Sequence, residues 1–172
     1  MLRAWLYRIM ALVVAGVIIY SAVNPWWSCV IEHAQYGYQG TVNIFQYGIT
    51  DAPMEIAGDI TPSYQVVLAL SYIGLMTGLI IWSGFLKGRT GTLLPAAAGF
   101  SYIAYALMAV FLVIGPRISE LGGQLQGYSE IIVETIQEPV LITTRLQPAF
   151  FVACAGGVLS CLLALIRRAL LK

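Results

Sequence analysis

The sequence predicts an all-α membrane protein: a four-transmembrane-helix bundle with a small extracellular β-hairpin or sheet in the first outer loop. Three observations predict it. The 172 residues are 59 % hydrophobic and 10 % charged, with a mean hydropathy of +0.83, whereas soluble domains average about 45–50 % apolar and about 25 % charged. A bilayer core of about 30 Å takes roughly 20 mostly apolar helical residues, and four such runs contain no Asp, Glu, Lys, Arg or His. The ionisable residues between the runs sort by sign. The chain is read as a single four-span membrane domain covering residues 1–172.

The first run, about Ile9 to Val23, follows Arg3 and Arg8. A signal peptide has the same plan, but Ser21-Ala22-Val23-Asn24 lacks the small-x-small cleavage pattern, so the run is read as a helix. The first outer loop, residues 24–63, has strand chemistry. Ser28 to Gln35 and Thr41 to Ile49 are rich in Val, Ile, Phe and Tyr, and Gly37-Tyr38-Gln39-Gly40 offers a turn between them. Two strands alone are marginal, so a third strand or a partner is expected. The second run, about Tyr64 to Phe85, is opened by Thr61-Pro62. The third, about Leu93 to Ile114, carries Pro95 in its first turn and is stopped by Gly115-Pro116. In the second outer loop, residues 116–148, Glu130, Glu134 and Glu138 at four-residue spacing predict a helix over Tyr128 to Glu138, ended by Pro139. Pro148 opens the fourth run, about Ala149 to Ile166.

Arg3, Arg8, Lys87, Arg89, Arg167, Arg168 and Lys172, seven of the nine basic residues, lie at the termini and in the short second connection. All eight acids lie in the two large loops. Lys and Arg near short loops stay cytoplasmic. The expected location is therefore the cell membrane, with both termini in the cytoplasm and both large loops outside.

Lipid tails are as apolar as leucine, so helices in a bilayer associate by close backbone approach. Small residues recur at four-residue spacing: Gly74 and Gly78 in the second helix, Ala97 and Ser101 in the third, and Ala149, Ala153, Gly157 and Cys161 in the fourth, beside a second stripe of Gly156, Ser160 and Ala164. These faces are read as packing the bundle, with docking of a partner as their second use. Trp26 and Trp27 fall near a span end, where an aromatic belt at the lipid headgroups would place them as interface anchors.

The net charge of +1 argues against nucleic-acid binding, which needs a clustered basic face. Spans without charge argue against a proton-coupled transporter. Cys29-x-x-x-His33, with Glu32 alongside, supplies one thiol and one imidazole, and no second cluster completes a tetrahedral metal shell. Cys29 and His33 are metal candidates in this chain alone or in a site shared with another subunit, and the preferred reading is a histidine and a thiol in a folded loop. The glutamate stripe is read as a solvated face rather than a cation site. Ser119 and Ser129 have no recognisable base, and no phosphate loop or haem motif occurs. No enzymatic activity and no cofactor are expected.

Four spans, Pro25-Trp26-Trp27 directly after the first, and Tyr47-Gly48-Ile49 further on together resemble the claudin and peripheral-myelin-protein tetraspan superfamily. In that family a tryptophan follows the first helix, then a Gly-Leu-Trp element, then two cysteines that bridge strands of the outer sheet. Here no tryptophan follows Gly48, and Cys29 is the loop's only cysteine, so that bridge has no counterpart. The resemblance implies a protein that works by contacts, through assembly in the membrane or through its outer sheet.

The expectation is a non-catalytic membrane subunit that binds the lipid bilayer and other membrane proteins, or copies of itself. Its helix faces and folded outer loop would stabilise a larger complex. Three alternatives are a claudin-like self-assembling or adhesion protein, an accessory subunit of a membrane redox or metal enzyme, and a small channel or transporter.

Overall fold

The computed structural model describes residues 2–32, 37–42, 63–120, 122–132 and 139–170. Helix α1 runs Leu2–Val23, β1 Trp27–Glu32, β2 Gly37–Val42 and α2 Ser63–Ser83. Helix α3, Thr90–Leu107, continues through a π-helical segment, Met108–Ile114, into a short α4, Gly115–Glu120. Strands β3, Gly127–Ile132, and β4, Pro139–Leu146, lead into α5, Pro148–Leu170.

The helices bury stripes, not whole surfaces. On α1, Tyr7, Ala11, Val14, Ile18 and Ala22 are buried at helical spacing, while Leu12, Val13 and Ile19 between them are exposed. A helix apolar on both faces is suited to an apolar solvent. Leu2–Val23, Thr90–Glu120 and Pro148–Leu170 are long and apolar enough to cross a membrane, and Val67–Ser83 is a shorter apolar stretch. Helix α5 packs chiefly against α3 and α1, with α2 held between α1 and α3.

The third helix does not stop at Gly115-Pro116 as predicted. The Gly115 N–H bonds the Val110 carbonyl, a five-residue π turn, and α geometry resumes at Gly115, ahead of Pro116, which has no N–H to place. At its other end α3 begins at Thr90, so Pro95 sits beyond the first turn.

The strands form one antiparallel sheet in the order β2-β1-β4-β3. Two predictions are corrected here. Residues 127–132 of the second connection are strand, not helix, and 133–138 lie outside the described residues. A spacing of four residues keeps one face of a strand as well as of a helix, so the glutamate stripe did not discriminate. Exposed Tyr128 and Glu130 flank buried Ser129, and on β4 buried Val140, Ile142 and Thr144 alternate with exposed Leu141 and Arg145. The predicted turn, Gly37 to Gly40, is itself strand: Gly37 pairs with Glu32 and Gly40 with Cys29. Residues 33–36 between the two strands, and 43–49 of the predicted second strand, lie outside the described residues. The support expected for the hairpin comes from the second connection, because β1 pairs with β4 along its whole length, from Trp27↔Leu146 to Glu32↔Leu141.

Candidate functional site

Where α1 ends, the sequence creates a local problem. The Ser21 carbonyl would ordinarily accept the N–H four residues on, but that residue is Pro25, which has none. The Trp26 indole N–H donates to it instead, at 2.6 Å. Trp26 is 0 % exposed, its ring edge-on to Tyr102 and Tyr105 of α3 at 6.1 Å from each. A 2.7 Å hydrogen bond between the Ser21 and Tyr102 hydroxyls completes the link between α1 and α3. Trp27, 1 % exposed, donates its indole N–H to the Leu125 carbonyl of the second connection at 2.9 Å. The Gln147 N–H bonds the Trp26 carbonyl at 2.9 Å, and its side-chain amide donates to Ser28 Oγ. Thr144 Oγ1 donates to the Gln124 carbonyl at 2.7 Å, and Ser129 Oγ accepts the Gln124 N–H at 2.9 Å. Two enclosed indoles thus tie the start of the sheet to neighbouring chain, Trp26 to the end of α1 and Trp27 to the second connection. Neither lies at a surface as the headgroup anchor predicted from sequence would.

Cys29 is fully buried in this seat, and burial pushes its thiol up to about 11. A thiol so hard to ionise is a poor nucleophile. His33 lies outside the described residues, and among the described residues no group of three His, Cys, Asp or Glu is placed to hold a metal ion.

The small residues of α5 are divided between two neighbours. A Cβ on Gly157 would stand 2.8 Å from the Gly99 carbonyl oxygen of α3, and one on Gly156 3.2 Å from Val17 of α1. Ser160 donates to the Pro95 carbonyl at 2.7 Å, Cys161 Sγ contacts the Ala96 carbonyl at 3.6 Å, and Ala153 is fully buried. Gly74 and Gly78 differ: among the described residues, a Cβ on either would meet nothing within 4 Å. They lie on an exposed face of α2 with Leu70 and Leu75.

At the opposite end, where α1 and α5 bring the chain ends beside the α2–α3 connection, Arg167 is only 4 % exposed. Its Nε donates to the Ser83 carbonyl at 3.1 Å, Nη1 to the Gly88 carbonyl at 3.1 Å and Thr92 Oγ1 at 3.2 Å, and Nη2 to the Leu86 carbonyl at 2.5 Å. These carbonyls include the orphans beyond the last turn of α2, which a cation satisfies well. Ser83 Oγ donates to the Ile80 carbonyl, so the 2.7 Å contact of Tyr7 with Ser83 has the phenol as donor. One clasp thereby joins α1, α2, α3 and α5. Sequence reasoning read Arg167 only as a cytoplasmic charge. The missed signal was its place on the buried stripe Ala153, Gly157, Ser160, Ala164, Arg167.

Beside the clasp opens a groove of about 920 Å³ lined by Arg8, Lys87, Arg89, Arg167 and Arg168, with Phe85, Leu86 and Leu93 among the apolar lining. The chain matches no protein-family model, and no curated protein matches it in sequence.

Proposed function

We propose that this protein is a non-catalytic integral membrane subunit with four spans, its termini in the cytoplasm and its sheet outside. It stabilises a larger complex by binding other membrane proteins. The observation that carries the reading is the braced sheet: strands from two separate connections are joined along β1 and β4, and Trp26 ties them to the end of α1 while Trp27 ties them to the second connection. A surface ordered before a partner arrives loses little entropy on association. Within the bilayer, the open backbone at Gly74 and Gly78 offers close approach to an apolar helix of the partner. The orientation follows from the basic residues gathered at the end opposite the sheet.

Extraction from native membranes in mild detergent, followed by identification of co-purifying proteins, tests the reading. A stoichiometric membrane partner is expected, lost on Gly74→Leu with Gly78→Leu, and a lone monomer overturns it. Claudin-like self-assembly is the second reading, favoured by an outer sheet standing over helices with an enclosed tryptophan just after α1. Cross-linking of intact membranes separates the two: homotypic ladders favour self-assembly, heterotypic bands a subunit.

A further inference from the structure

The basic groove is more than a surface that happens to be positive. Arg167 holds its charge nearly buried, yet its four hydrogen bonds all go to neutral oxygens. Among the described residues no carboxylate balances it. Its guanidinium lies against the first turn of α3, so close that a Cβ on Gly91 would overlap it. That turn is the positive end of the helix dipole, and Arg89 at its N-cap position makes no side-chain capping bond. Arg8 is steered over the Phe85 ring, 4.4 Å from its centroid, and Lys87, Arg89 and Arg168 are exposed around the opening. A buried cation, a helix N-terminus and four further cations face one cavity that, among the described residues, no acid lines. Their mutual repulsion falls when an anion enters.

We infer that this groove binds a phosphate group. Guanidinium groups match phosphate oxygens in geometry, and a helix N-terminus adds backbone donors. The walls favour a phospholipid headgroup over free phosphate as the source. Phe85 and Leu93 are exposed beside the cations, offering acyl chains an apolar flank at the end of the spans. Basic pockets between helices at a membrane's inner face take anionic headgroups on the same grounds. The lipid source rests on the membrane reading above, but the phosphate site does not.

The test uses the full chain in mild detergent, titrated with phosphatidylglycerol, phosphatidylcholine or inorganic phosphate, with binding read by native mass spectrometry and thermal stability. Phosphatidylglycerol is expected to bind at one site and raise the melting temperature, with phosphatidylcholine well behind. The groove variant Lys87→Gln, Arg89→Gln, Arg168→Gln spares the Arg167 clasp and should weaken phosphatidylglycerol about a hundredfold. A control, Arg3→Gln, removes charge from the same end outside the groove and should leave affinity within a few-fold. Equal losses in both variants, scaled to charge, would mean general attraction to the membrane surface and overturn the site. So would failure of both phosphatidylglycerol and inorganic phosphate to bind. Binding of inorganic phosphate that is sensitive to the groove variant, with no gain from the lipid, upholds the phosphate site and overturns the lipid as its source. None of these outcomes depends on a protein partner, so the subunit reading stands or falls separately.

Discussion

Trp26 shows what one side chain does for this protein. It replaces a backbone donor that Pro25 removes, and it fills the space between α1 and α3. Trp26→Ala should therefore destabilise by about 3–5 kcal/mol, the usual range for truncating a buried aromatic. Trp26→Phe keeps most of the packing but orphans the Ser21 carbonyl and should cost about 1–3 kcal/mol. Unfolding by SDS titration, followed by circular dichroism, measures both, and equal stability of Trp26→Phe and wild type would refute the capping role. Cys29 makes a pH prediction. Its thiol is raised from 9.0 to about 11 by burial, so the folded protein holds that proton where the unfolded chain has lost it. The stability this contributes is full below pH 9 and declines as pH rises through about 11. Site-resolved alkylation at pH 8 should find Cys29 protected in the folded protein and reactive once unfolded.

Among the helices, glycine spacing alone did not tell packing from exposure. Gly74 and Gly78 have the same four-residue interval as the small residues of α5, yet only α5 presses its glycines against neighbours. Gly157→Leu would drive a side chain into Gly99 and Ile103 and should cost more than about 3 kcal/mol or prevent folding. Gly74→Leu points into open space and should change stability by less than about 0.5 kcal/mol. A clear loss of stability in Gly74→Leu, measured in the same titration, would show that α2 packs differently. The strands show the same ambiguity. The glutamate spacing suited helix and strand alike, and backbone pairing with β4 made residues 127–132 a strand.

Across the whole molecule, the sheet joins segments that are remote in the chain. A cysteine-free background carrying Val30→Cys and Thr143→Cys, which stand opposite each other across β1 and β4, should form an intramolecular disulfide on mild oxidation. A gel shift reversed by reductant would report it, and its absence would place the two connections apart. The apolar runs, their order, and the gathering of basic residues away from the acids were all legible in the sequence, because hydropathy and charge are properties of single residues and short windows. The enclosed tryptophans, the buried clasp at Arg167 and the mixed origin of the sheet were not. Each depends on which distant segment comes to lie opposite, as Leu125 does for Trp27 and Ser83 for Arg167. Composition fixes what solvent each segment prefers, but only the tertiary packing decides which polar atoms meet, and on those meetings both proposed binding surfaces rest.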